Sequence, residues 1–235
     1  MREKAKGSPF AFCVCEKKEI CMETVGAYIF DMDGTLVDNC AYHVTSWQAF
    51  ARRYGHELTA QQILDWMGAQ GSFYMEQIFQ RAIPLDELAR LCAEKEAIYR
   101  ELAAPHLVVP EGLCAFLDAA QARGIPCAIA TGGPKENVDF VLDTLDLRKY
   151  FSVIVDSTMY THSKPDSECF LTAAARLGVP PEKCQVFEDA VNGIQAAHAA
   201  GMRVTVVTFT NPRTTLAAAH PDRIIDSYCE LTSRC

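Results

Sequence analysis

Residues 28–39 read YIFDMDGTLVDN, and this stretch decides how the rest of the chain is understood. An apolar run, Val25 to Phe30, stops abruptly at two aspartates, Asp31 and Asp33, with Gly34 and Thr35 directly behind. A run of that length, apolar on both faces, is what a strand inside a helix-covered parallel sheet requires. Similar runs recur at 126–131 (PCAIAT), 152–155, 185–187 and 203–208 (RVTVVT). Helical patterns separate them at 111–123, 135–145, 166–177 and 190–200, and Gly124, Gly178 and Gly201 close three of these. Alternating strands and helices predict an α/β fold, a doubly wound parallel sheet of Rossmann-like type.

One interval breaks the alternation. From Asn39 to about Pro110 there are helix patterns and no strand, at 41–54, 59–67, 72–82 and 85–103. The last carries Leu88, Leu91, Cys92, Ile98 and Leu102 along one side. The expected organisation is a core at 23–38 and 110–235, an inserted all-helical lobe at 39–109, and a poorly ordered tail at 1–22, with Met22 as an alternative start. Trp47 and Trp66 read as lobe core.

Composition narrows the function. The chain has 235 residues, 49% hydrophobic and 22% charged, with a net charge of −8. It is rich enough in apolar residues to bury a sizeable core. Without a basic run, neither nucleic acid nor a membrane surface is an expected partner. No window approaches the roughly 18 apolar residues of a spanning helix. The 11 cysteines follow no framework spacing. Reduced thiols and a cytoplasmic location are expected. The cluster Cys13, Cys15 and Cys21 offers no fourth ligand for a metal.

Ligands in open α/β sheets bind outside the carboxyl ends of the strands. Asp31 and Asp33 follow the first strand. Thr131, Gly132 and Gly133 follow the second. Lys164-Pro165 comes after the third, past a short loop, and Glu188-Asp189 after the fourth. Each piece alone is compatible with an ordinary turn or helix cap. Their order, all four just past strand ends, is not. Acids without a histidine or cysteine ligand suit a hard cation, most simply Mg²⁺. Phosphoryl transfer needs in-line positioning and neutralised equatorial oxygens, which Mg²⁺, Lys164, the Thr131 hydroxyl and nearby amides such as that of Gly132 would supply. One aspartate of the pair can attack phosphorus, and the other can handle protons.

FDMDGT (30–35), Thr131, Lys164-Pro165 and FEDAVNGIQAA (187–197) resemble the four motifs of the haloacid dehalogenase-like hydrolase superfamily, over about residues 24–232. The resemblance implies Asp31 as nucleophile and Asp33 as acid/base. It implies Mg²⁺ held by Asp31, the backbone carbonyl of Asp33 and Asp189, with Glu188 close by. It implies phosphoryl binding by Thr131 and Lys164. The insert between the first two motifs is similar to a helical cap, and the 33 positions from Thr131 to Lys164 leave no room for a second one. Asp33 argues against true dehalogenase activity.

Within the capped subgroup the chain resembles β-phosphoglucomutase-like proteins and small sugar phosphatases. AYHVTSW (41–47) puts His43 where a cap histidine near the acid/base is found. The mutases hold their second phosphate with a cap-loop arginine, and WMGAQGSF (66–73) has none. This loop and HSKPDSECF (162–170) resemble fructose-1-phosphate-type phosphatases. The expectation is a phosphatase of small phosphorylated sugars or polyols, with Gln70 and Ser72 as substrate contacts and a monomeric state that leaves the cap free to move. The alternatives are a β-phosphoglucomutase, using Arg52, Arg53 or Arg81 if one points inward, and a non-catalytic phosphometabolite-binding protein.

Overall fold

Alternation along the first strand shows why the sheet sits where it does. In β1 (Ala27–Phe30), Tyr28 and Phe30 enter one hydrophobic cluster while Ala27 and Ile29 enter another on the opposite face. Both faces are covered, so each strand reads as a continuous apolar run. The computed structural model describes residues 25–232, so the expected tail at 1–22 and its three cysteines lie outside the described residues.

β1 is followed by β2 (Cys127–Ala130), β3 (Phe151–Val155), β4 (Cys184–Glu188), β5 (Arg203–Val207) and β6 (Arg223–Ile225). All pairings are parallel, in the order β3-β2-β1-β4-β5-β6. Phe30 is in register with Ile129 on one side and Phe187 on the other. The chain grows outward from β1 in one direction, then returns to build the other, so the switch point lies between β1 and β4. The sixth strand and the short helix before it go beyond the sequence reading. β6 has only three residues, too few for a periodicity to emerge.

Five α-helices lie between β1 and β2, and the first four form the insert: α1 (Cys40–Arg53), α2 (Ala60–Asp65), α3 (Gly71–Phe79) and α4 (Leu85–Ala103). They pack on one another around Val44, Trp47, Phe50, Ile63, Met75, Leu91 and Ile98. Trp47 and Tyr74 stack at 4.1 Å. The remaining helices cover the sheet: α5 (Leu113–Ala122), α6 (Lys135–Thr144), α7 (Glu168–Leu177), α8 (Val191–Ala199) and α9 (Arg213–Ala217). The stripe expected on α4 is real but differs in content. Leu102 is 38% exposed, whereas Lys95 is buried within the stripe. Cys40, Cys92, Cys114, Cys127, Cys169 and Cys184 are free, while Cys229 is disulfide-bonded. The expectation of reduced thiols throughout therefore fails at Cys229. No helix among the described residues is long and apolar enough to cross a membrane.

Candidate active site

The carboxyl ends of three neighbouring strands bring the expected residues to one rim. The amide of Asp31 donates to the Phe187 carbonyl at 2.9 Å, which holds its backbone to β4. Strand alternation continues two residues further: Met32 is fully buried in the core, so Asp31 and Asp33 point away from it. The chain then turns sharply, with the Thr35 and Leu36 amides both donating to the Met32 carbonyl. Gly34 makes that turn at φ +79°, and a Cβ there would lie 2.2 Å from Asp189 Oδ2. Both the conformation and the close approach demand glycine. From β2, the Thr131 amide donates to the Val155 carbonyl, and its hydroxyl accepts from the Gly133 amide at 3.0 Å.

Lys164 ties these ends together. Its Nζ donates to Asp31 Oδ1 at 2.6 Å, Glu188 Oε1 at 2.7 Å and the Ala130 carbonyl at 3.3 Å. All three ammonium protons are thus in use. Removing it would leave two buried carboxylates uncompensated, an effect on the order of 3–5 kcal/mol. Burial opposes its charge, but Asp31 and Glu188 raise its pKa well above the ordinary lysine value. The other Glu188 oxygen accepts from the Asp189 and Ala190 amides just ahead of α8. Glu188 is therefore committed to the lysine and the backbone. A Cβ at Gly193 would fall 1.9 Å from its carboxylate, so α8 packs directly against it.

Negative charge outweighs positive in this cluster. Burial pushes the Asp31 carboxyl up to about 7, partly offset by Lys164 and reinforced by Glu188. Burial, then Glu188 and Asp31, raises Asp189 well above the usual carboxylate range. Ionised together, these three acids exceed the single lysine among them, and a hard divalent cation would make up the difference. Oxygen donors from Asp31 and Asp189 fit Mg²⁺, and such a set needs backbone oxygen and water to complete it. Among the described residues no cluster of three or more acid, imidazole or thiol side chains is arranged to hold a metal unaided.

Asp33 has a different environment. Burial works against its ionisation, yet His43, the Asn39 hydrogen bond and the Lys95 charge hold it below the usual range. Asn39 Nδ2 donates to Asp33 Oδ1 at 2.6 Å and also lies 2.5 Å from the Tyr99 hydroxyl. His43 stacks on Tyr99 with 3.9 Å between centroids, and its buried, unpartnered Nε2 lies 3.5 Å from Asp33 Oδ1. Lys95 Nζ is 3.1 Å from His43 Nδ1. Sequence reasoning overlooked Asn39, Lys95 and Tyr99. The signal for Lys95 was a lysine in step with Leu88, Leu91 and Ile98 on an apolar face.

A cavity of about 680 Å³ opens beside Lys164, lined by residues 68–70 of the helical insert and 161–166 of the core. Gln70 lines it and donates to Ser163 at 3.2 Å, while Ser72 does not line it. Arg81 and Arg53 pair with Glu87 and Glu94 on the surface, and neither they nor Arg52 reach the cavity.

The family model for haloacid dehalogenase-like hydrolases matches residues 25–201. The fructose-1-phosphate phosphatase YqaB of Escherichia coli is 35% identical over 186 residues, covering 77% of this chain and 95% of that protein. A phosphorylated carbohydrates phosphatase of Thermotoga maritima is 33% identical over 180 residues, covering 75% and 82%. A solved hydrolase of the same superfamily (family IA, variant 3) from Entamoeba histolytica superposes with a TM-score of 0.83 at 25% identity, covering 88% of this chain and 95% of that one.

Proposed function

Because the chain belongs to the haloacid dehalogenase-like hydrolases, we propose that it is a Mg²⁺-dependent phosphatase of small phosphorylated sugars or polyols. The observation that carries this reading is the Lys164 ammonium, which joins Asp31, Ala130 and Glu188 at the ends of three adjacent strands. Asp31 attacks phosphorus, the P–O ester bond breaks, and an aspartyl-phosphate forms. Asp33, which its surroundings hold ionised, must first take up a proton; it then gives that proton to the departing oxygen and takes one from the water that hydrolyses the aspartyl-phosphate. The Thr131 hydroxyl, the Gly132 amide and Lys164 face the phosphoryl oxygens. Asp31, Asp189 and the Asp33 carbonyl would hold Mg²⁺, which would supply charge neutralisation there. The insert at 39–109 acts as a cap that shields the reaction from bulk water.

The cavity and the names of the relatives support this substrate class. The cavity volume suits a sugar phosphate. The phosphatases from Escherichia coli and Thermotoga maritima are named for fructose 1-phosphate and for phosphorylated carbohydrates. A mutase needs a second phosphate anchor, and none of Arg52, Arg53 and Arg81 lines the cavity. The test is phosphate release with Mg²⁺ across a panel of sugar phosphates, beside an assay for conversion of β-glucose 1-phosphate to glucose 6-phosphate. Phosphate release without isomerised product is expected. Accumulation of glucose 6-phosphate would replace this reading with a mutase, and silence across the panel would replace it with a binding role.

A further inference from the structure

The polar chain that starts at Asp33 does not end at His43. Lys95 is 2% exposed, and its Nζ lies 3.0 Å from Glu96 Oε1 as well as beside His43. Glu96 Oε2 accepts from Asn137 Nδ2 at 2.7 Å. One turn further along α4, Arg100 donates to Asn137 Oδ1, also at 2.7 Å. Asn137 is 1% exposed and sits in the first turn of α6, the core helix that begins just past Thr131. An acid and a base four residues apart on α4 thus grip both ends of one core amide.

Each link has a direction. The guanidinium only donates, so it takes the amide oxygen and leaves the Asn137 NH₂ for Glu96. The ammonium of Lys95 also only donates, so His43 Nδ1 accepts. That puts the ring proton on Nε2, the atom 3.5 Å from Asp33 Oδ1. Five side chains therefore run from the core helix, through the helical insert, back to the core acid.

We propose that Asn137 is a positioning residue that makes docking of the helical insert on α6 a condition for the correct orientation of Asp33, acting through Glu96, Lys95 and His43. This rests on the reading of Asp33 as acid/base. When α4 leaves α6, Glu96 loses its Asn137 partner, Lys95 loses its fixed acceptor, and the His43 proton is no longer aimed. Thr131, Lys164 and Asp31 stay in place, so phosphate binding persists while proton delivery fails.

Leaving-group dependence separates this from general structural damage. Nitrophenolate departs without a proton, whereas a sugar alkoxide needs one. The experiment compares kcat/KM for p-nitrophenyl phosphate and for the sugar phosphate that wild type turns over fastest in the panel. Asn137→Ala is expected to lower kcat/KM for the sugar phosphate by about tenfold or more, with less than about a twofold change for p-nitrophenyl phosphate. Glu96→Gln approaches the same link from the other side, and the same shift is expected. It also decides the matter if Asn137→Ala does not fold. An unchanged ratio between the two substrates, whether both constants fall or neither does, overturns the inference. No phosphate release by wild type would instead sink the phosphatase reading, and this inference with it.

Discussion

The two aspartates of the 30–35 motif differ in what surrounds them. Asp31 is packed against Lys164 in a crowd of acids, while Asp33 receives Asn39 and faces His43. Without a cation these surroundings favour the proton on Asp31 and the charge on Asp33, so attack by Asp31 would require a bound cation to hold it ionised, with a proton passing to Asp33. Asp31→Asn keeps the volume and removes the proposed nucleophile. We expect no measurable turnover, together with a thermal unfolding midpoint close to wild type or above it, because a buried acid with a raised pKa is no longer held there. Turnover in a carefully purified variant would show that another group attacks phosphorus.

The loop that carries Lys164 depends on one helix start. Glu168, the first residue of α7, accepts from the Thr161 and His162 amides at 3.0 and 2.7 Å, so it closes the 161–168 loop on itself. Those bonds, His162 first, hold its pKa below the ordinary 4.5. A depressed folded pKa means that the ionised form stabilises the fold. That contribution is complete above the unfolded value and disappears as pH falls through the folded one. Glu168→Gln should therefore lower the unfolding midpoint at pH 7 and make little difference at pH 3. The same variant should raise KM more than it lowers kcat, since a looser loop presents Lys164 less often. Equal midpoint losses at both pH values would show that the carboxylate charge is not what closes the loop.

Across the whole molecule, the excess of buried negative charge links cation binding to stability. A ligand that binds only the folded chain stabilises it by about 2.7 kcal/mol at one hundred times its Kd. Mg²⁺ should raise the unfolding midpoint of wild type, and a chelator should reverse this and abolish phosphate release. In Asp189→Asn the Mg²⁺-dependent rise should shrink sharply, while the metal-free protein is no less stable, since Asp189 is among the acids strained by burial and like charge. A full Mg²⁺ response in that variant would move the cation site away from Asp189.

Much of this architecture is legible in the sequence, because the signals are local. A strand has period two, so the run through Phe30 announces a covered sheet and puts Asp31 and Asp33 together on one side. Motifs past strand ends predict a shared rim by the geometry of parallel sheets alone. Even Lys95 betrays itself as a charge in step with an apolar stripe. What lies opposite each residue is not local. Lys164 and Asp31 are 133 positions apart, and Asn137 and Glu96 are 41. Such contacts depend on which strands are neighbours and on how α4 lies against α6. Only folding brings Lys164 onto Asp31, turns Glu188 to the lysine, and runs the polar chain from Asn137 through Lys95 to Asp33. Local periodicity sets which way a side chain faces along its own element, whereas packing chooses the partner it meets.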